Sequence, residues 1–380
     1  MDKIENAFTG KKQKSNVTSF VKFIAPICFF LLCLSCADKK EADVDEPEDE
    51  IPFSYSSVSY IALFEEGGRL MRELFIMDTS GNEIRRIQYD GKIRYEKPVR
   101  SHCGTKLLFV ADERCEDDLL NICQQGLYYV NTDGKGLTLI DKISGHVGYF
   151  SGADWSPDDT KIVYSKSDDR KSADLILYDL SKKIPQILST KESIYLPKFS
   201  PDGKKIAYSS KVGIYNIDAN GKNDQLIIKD SGNTVWSPHG DKMAYYGPND
   251  TGGSQIFVAD ADGSNQKQLT FTVSPHLYPG SWPRDGNLDP QWTPDGKKIV
   301  YVSRENEKSE IFIMNADGSD QRRLTEAEYG DADPEITPDG KFILFSSNKH
   351  DMATGICIMT LDGQNQRVLT KNGCFPIVCR

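Results

Sequence analysis

The side chains best suited to hold a transition metal or to move protons near neutral pH are five histidines, His102, His146, His239, His276 and His350. They are far apart in the chain, and no Cys/His cluster has zinc-site spacing. A second set has the character of a recognition surface. The stretch FTVSPHLYPGSWPRDGNL (271–288) carries Phe271, His276, Tyr278 and Trp282 among three prolines, which limit its freedom. Aromatic side chains held in this way anchor protein or sugar ligands. DxDG stretches such as Asp260-Ala261-Asp262-Gly263 look superficially like calcium loops, but they lack the distal glutamate and read as turns. No nucleophile–base pair and no carboxylate pair has an assignable geometry. The sequence therefore offers no catalytic residue, no metal set and no cofactor site.

What positions these residues is a repeat. Its opening half occurs as KPVRSHCG (97–104), GADWSPDD (152–159), LPKFSPDG (196–203), NTVWSPHG (233–240), DPQWTPDG (289–296) and DPEITPDG (333–340). Its second half occurs as GLYYVNTDGKGLTLI, QIFVADADGSNQKQLT, EIFIMNADGSDQRRLT and further variants. Six full units follow one another with a period of about forty residues, the length of a propeller blade. Each unit reads as four strands, A to D. In the unit that begins at Asp289, strand A ends at Trp292, and Thr293-Pro294-Asp295-Gly296 makes a tight turn, with proline fixing φ at its second position. Strands B (KIVYVS) and C (EIFIMN) are almost continuously apolar, as expected of a sheet covered on both faces. Ala316-Asp317-Gly318 turns the chain with glycine at positive φ. Strand D carries Arg322 and Arg323, and charge there discourages edge pairing.

The ends complete the pattern. SYIALFEE and RELFIMDTSGNEIRRIQ (59–88) supply strands B, C and D without an A, and the final CFPIVC aligns with strand A. The expected fold is an all-β propeller of seven four-stranded antiparallel blades, closed by the C-terminal strand completing the first blade.

Alternating strand direction puts the A–B and C–D turns on one face of the ring and the B–C and D–A loops on the other. The first face carries short Pro/Asp/Gly turns and reads as structural. The second carries long loops, among them ERCEDDLLNICQQ (113–125), GPNDTGG (247–253) and the aromatic stretch above. Binding residues are often held on such loops by a rigid scaffold. His146, His276 and His350 fall on that loop face, and His102 and His239 in A–B turns. Tyr95, Tyr149, Tyr195 and Tyr329 fall in D–A connections. The expected ligand-binding rim is Tyr149, Tyr195, His276, Tyr278, Trp282 and Tyr329.

The N-terminus differs in kind. Five lysines precede an apolar run, FIAPICFFLLCLSC (23–36), which is too short for a bilayer span and is interrupted by Pro26. Residues 37–50, ADKKEADVDEPEDE, are acidic, cannot form a core, and read as a tether. The 380-residue chain has a net charge of −10, which argues against a nucleic-acid ligand. With no basic patch to help, a lipid would be the sole attachment to the membrane. Downstream of Cys36 lie Cys103, Cys115, Cys123, Cys357, Cys374 and Cys379, an even number that favours disulfides in an exported protein without fixing their pairing.

Two resemblances follow from these residues. The Leu34-Ser35-Cys36 ending resembles the lipobox of bacterial lipoproteins, departing from it at Cys33. It implies residues 1–36 as a signal peptide with lipidated Cys36, residues 37–56 as tether and residues 57–380 as propeller. The repeated [WF]-[ST]-P-D-G and D-x-D-G motifs, over about residues 57–380, resemble the TolB-type propeller repeats of bacterial envelope proteins. Residues 37–56 are too short for the separate α/β domain that precedes the propeller of TolB. Similar repeats occur in prolyl-oligopeptidase-type enzymes, whose G-x-S-x-G elbow has no counterpart here. The resemblance implies a non-enzymatic, monomeric, lipid-anchored module of the Gram-negative envelope. It would be an outer-membrane lipoprotein, periplasmic or surface-exposed, that binds a protein or glycan through its long-loop face. The alternative is a metal-dependent polysaccharide lyase or hydrolase, since oligogalacturonate lyases share similar repeats and bind a metal through histidines.

Overall fold

The repeats form strands because their apolar and β-branched runs can be buried on both faces only if one sheet stacks on the next. The computed structural model describes residues 57–66, 69–87, 89, 92–93, 98–112, 125–143, 148–248, 253–272, 286–304, 308–326, 330–348 and 354–378. They build seven antiparallel sheets. Strands A to D of blade 3 are Tyr149–Trp155, Lys161–Ser167, Ala173–Asp179 and Ile184–Lys191. Those of blade 4 are Tyr195–Phe199, Lys205–Ser210, Gly213–Asp218 and Gln225–Lys229. Blade 5 comprises Gly232–Trp236, Lys242–Pro248, Ser254–Asp260 and Lys267–Gln268. Blade 6 comprises Asn287–Trp292, Lys298–Ser303, Glu310–Asn315 and Arg322–Arg323. Blade 7 comprises Asp331–Ile336, Phe342–Asn348, Thr354–Thr360 and Arg367–Thr370.

Blade 1 is the composite one. Ser57–Glu66, Arg69–Asp78 and Glu83–Ile87 come from one end of the chain, and Cys374–Ile377 adds the inner strand from the other. Ser59 pairs with Ile377 and Ile61 with Cys374, so the ring closes as the two ends of the repeat pattern require. The seam is also held on its outer side, where Gly81 of blade 1 packs against Leu369 of blade 7 and Arg367 Nη2 donates to Thr79 O at 2.5 Å.

Blade 2 departs from the simple repeat. Its strands Lys106–Asp112, Gln125–Asn131 and Thr138–Lys142 are regular, but its inner edge is split into Lys92–Ile93 and Val99–Arg100, both paired with Lys106–Asp112. Pro98, just before the second piece, has no N–H to give to a ladder.

The core consists of the layers between blades. Ile162, Tyr164 and Ile176 of blade 3 pack on Leu108, Val110 and Leu127 of blade 2. Ile299, Tyr301 and Met314 of blade 6 pack on Ala244, Ile256 and Val258 of blade 5. Outside these layers the C–D-turn glycines of blades 1, 2 and 4 to 7 sit on the preceding blade. A Cβ on Gly263, whose φ is +83°, would lie 2.4 Å from the Ile227 carbonyl oxygen of blade 4, so glycine is required there for both backbone conformation and space.

Candidate functional site

The channel wall is made by the A strands, and those of blades 1 and 3 to 7 are bent at the same place. The ladder between strands A and B shifts register in blades 1 and 3 to 7. In each case a residue with positive φ sits at the shift: Phe375, Gly152, Leu196, Asn233, Asp289 and Asp333. This is a bulge of the kind that re-aims the following side chains. These bulge residues touch around the ring: Asn233 Nδ2 donates to Asp289 Oδ1 at 2.9 Å, and a Cβ on Gly152 would meet the Leu196 backbone at 2.9 Å.

Two residues beyond the bulges of blades 3 to 7 come Asp154, Lys198, Val235, Gln291 and Glu335, which face a cavity of about 370 Å³ at the A–B-turn end of the channel. Pro157, Pro201, Pro238, Pro294 and Pro338, one from each A–B turn of blades 3 to 7, line its mouth together with Trp236 and Trp292. His102 stands in blade 2 where those blades have proline. Its backbone N–H donates to Asp159 Oδ1 at 2.8 Å, and its Nδ1 lies 3.3 Å from the same oxygen. The Asp154 carboxylate is already mated, to Lys198 Nζ at 3.4 Å and to the Phe199 N–H at 3.0 Å. Trp155 and Trp236 each donate Nε1–H at 3.2 Å to a carbonyl of the preceding blade, of Val99 and Lys198 respectively. The Nε1 of Trp292 is buried and has no hydrogen-bond partner among the described residues. The face expected to be structural thus holds a shaped, semi-rigid opening.

The turns that carry the proline ring are stiffened by their aspartates. Asp158 accepts from Ser156 Oγ at 2.6 Å and Asp202 from Ser200 Oγ at 2.7 Å, and these hydroxyl bonds are the main reason both carboxyls titrate at about 2. The folded value lies below the ordinary carboxylate value, so the ionised turns stabilise the fold above about pH 4. That contribution fades as pH falls toward 2. The double variant Asp158→Asn/Asp202→Asn is expected to melt a few degrees lower at pH 7, and its melting temperature should fall less between pH 5 and 2. Calorimetry across that range checks both. Equal slopes for variant and parent would refute the assignment.

At the other rim, two of the six expected ligand-binding residues are described, and they meet. Tyr149 and Tyr195, at the starts of the A strands of blades 3 and 4, hydrogen-bond through their phenols, and burial raises the Tyr149 hydroxyl above its ordinary value, with Tyr195 adding to it. Phe271 is 71% exposed. The base of the aromatic loop is pinned by a buried amide network: Gln255 Oε1 accepts from Thr270 Oγ1 at 2.7 Å and from Asn287 Nδ2 at 3.0 Å. His276, Tyr278, Trp282 and Tyr329 lie outside the described residues, as do Cys36, His146, His350 and the tether. Among the described residues no group of three His, Cys, Asp or Glu side chains could hold a metal ion.

The disulfide expectation finds no pair in what is described: no bond joins any two of Cys103, Cys357 and Cys374, and Cys115, Cys123 and Cys379 lie outside. Burial, with Asp333 nearby, pushes the Cys374 thiol up to about 12.

The bulge ring and its cavity were not read from the sequence. A signal was present, since Leu196-Pro197, Asp289-Pro290, Asp333-Pro334 and Phe375-Pro376 recur three residues before the end of the aromatic or aliphatic motif.

Comparison with known proteins fits this geometry. The model of the TolB beta propeller domain matches residues 127–375. The Tol-Pal system protein TolB of Thioalkalivibrio sulfidiphilus is 36% identical over 86 residues, 22% of this chain and 17% of that protein. The match therefore spans under a fifth of that relative's length. Among solved structures, TolB from Acinetobacter baumannii superposes with a TM-score of 0.52 at 18% identity, covering 84% of this chain and 82% of that one. An oligogalacturonate lyase in complex with manganese gives 0.58 at 15% identity, covering 82% and 96%. At these identities the two structures speak to the fold alone.

Proposed function

The chain belongs to the TolB beta propeller domain family, and from that membership we propose that it is an envelope binding module whose channel, at its A–B-turn end, accepts a segment of a partner protein. The observation that carries this reading is the cavity of about 370 Å³, within the range of ligand sites and framed by five prolines and two indoles. Such a wall loses little entropy on binding, and indole faces suit apolar or aromatic side chains. Two of its charged residues, Lys198 and Asp154, are engaged with each other, which favours binding over catalysis. In this reading Cys36 is lipidated, residues 37–56 are the tether, and the propeller works in the envelope of a Gram-negative cell. The loop rim with Tyr149 and Tyr195 is the competing surface, for a protein or a glycan.

Affinity capture of the full-length protein from mild-detergent membranes separates the two surfaces. Gln291→Arg places a charged side chain in the cavity and should abolish recovery of a stoichiometric partner, leaving the melting temperature within a few degrees. Loss of the partner on Tyr195→Ala, with Gln291→Arg unaffected, would move the site to the loop rim. Recovery of no partner from any variant would defeat the binding reading and direct attention to carbohydrate substrates. Independently, Cys36→Ser should stop incorporation of labelled fatty acid and shift the protein out of the membrane fraction. Continued labelling would refute the anchor.

A further inference from the structure

The layer between blades 5 and 6 is apolar along most of its length, yet at its loop end it buries three oxygens that have no hydrogen-bond partner among the described residues: Ser254 Oγ, Asn287 Oδ1 and Ser303 Oγ. The three residues are 0%, 0% and 1% exposed. Their placement follows from strand periodicity. On strand C of blade 5, Ser254 shares a face with Ile256 and Val258, which pack toward blade 6. On strand B of blade 6, Ser303 shares a face with Ile299 and Tyr301, which pack toward blade 5. Asn287 is paired directly with Ser303 across the A–B ladder, so their side chains are close neighbours on one face. Ser254 is brought to the same place by its bridge to Gly286, the residue before Asn287. A Cβ on Gly286 would lie 2.3 Å from the Ser254 carbonyl oxygen, so the approach depends on glycine.

The amide of Asn287 sets the chemistry. Its Nδ2 is committed to Gln255 Oε1 and to Thr272 Oγ1, each at 3.0 Å, which leaves Oδ1 as an acceptor in need of a donor. Each serine hydroxyl can donate one hydrogen bond and accept others. Buried polar groups without partners are rare and unfavourable, and clusters of them in native proteins commonly hold an ordered water with about three hydrogen bonds. We propose that Ser254, Asn287 and Ser303 form a built internal hydration site that holds one water molecule. The water gives one hydrogen to Asn287 Oδ1 and one to a serine oxygen, and it accepts from the other serine. Three neutral oxygens are too few for a hard cation, which takes six or more. The site joins the base of the 271–286 connection to the interblade layer, through the same Asn287 that bonds Gln255 and Thr272.

The test is a double-mutant cycle on the full-length chain, read by thermal unfolding, with a crystal structure at a resolution that shows ordered water. With a shared water, Ser254→Ala and Ser303→Ala each remove a real hydrogen bond and each lower the melting temperature, by about 1–3 °C for a chain of this size. Their combined effect is then smaller than the sum, because the second change acts on a site already impaired. Density within hydrogen-bond distance of all three oxygens accompanies this result. If the hydroxyls are bare, each alanine relieves an unfavourable burial and raises the melting temperature. A rise in either single variant, strict additivity, or density absent from the site overturns the proposal.

Discussion

Deleting residues 371–380 is expected to lower the thermal midpoint by more than 10 °C and to replace one sharp transition with a broad one. The deletion removes strand A of blade 1. Ile377 and Val378 are 4% and 1% exposed, Cys374 is buried, and they belong to two different layers: Cys374 to that between blades 1 and 2, Val378 to that between blades 7 and 1. Burial of these side chains is worth about 4–6 kcal/mol together, comparable with much of the net stability of a folded domain. The loss is larger than the area suggests. Pairing of Ser59 with Ile377 and of Ile61 with Cys374 is the closing ladder of the ring, so its removal bares the edge of Ser57–Glu66 and the flank of blade 7 at once. An exposed apolar edge of this length also invites aggregation. Scanning calorimetry with size-exclusion chromatography checks both effects. A truncated protein that melts as sharply as the parent and within 3 °C of it would show that the seam is held by its outer contacts, Gly81 on Leu369 and Arg367 on Thr79.

Trp155→Ala is expected to be the most damaging single substitution, at about 3–5 kcal/mol. Trp155 is fully buried, closes the layer between blades 2 and 3, and meets Tyr129 edge-on with ring centroids 6.1 Å apart. Its Nε1–H donates to the Val99 carbonyl at 3.2 Å and so pins the short inner piece of blade 2, which has little ladder of its own. Trp155→Phe keeps most of the packing and loses the hydrogen bond, and should recover more than half of the stability. Denaturant titration of the three proteins gives the comparison directly. If Trp155→Ala lost less than 1 kcal/mol, the split strand of blade 2 would be held by other means, among them the Arg100 bonds to Ser57 and Gly104.

The two effects differ in how readable they were. The closing strand was legible because Phe375-Pro376-Ile377-Val378 repeats the pattern of Leu196-Pro197-Lys198-Phe199, and a repeat that lacks one strand at its start and gains one at its end has one economical solution. The burial of Trp155 was legible from its place before the Ser-Pro-Asp turn. Its carbonyl partner was not, because Val99 lies in another blade and their separation in sequence says nothing of a shared wall. The bulges were missed for a local reason. A left-handed residue such as Leu196 or Phe375 breaks the propensity of its side chain and is held there by the ladder on either side.

By itself the sequence determined the number of blades, the order of strands in each, the turns between them and the closure, because each is set by short-range chemistry repeated about every forty residues. Apolar alternation chooses strand, proline and glycine choose turn, and the count of units chooses the ring. Only the tertiary structure decided what the ring encloses. The cavity at the A–B-turn end, the mating of Lys198 with Asp154, the meeting of Tyr149 with Tyr195 and the buried oxygens of Ser254, Asn287 and Ser303 all join residues of different strands, and all but the pairing of Asn287 with Ser303 cross from one blade to another. Their proximity depends on the angle between neighbouring sheets and on bulges in the inner strands. Those are properties of the closed ring, and no single repeat carries them.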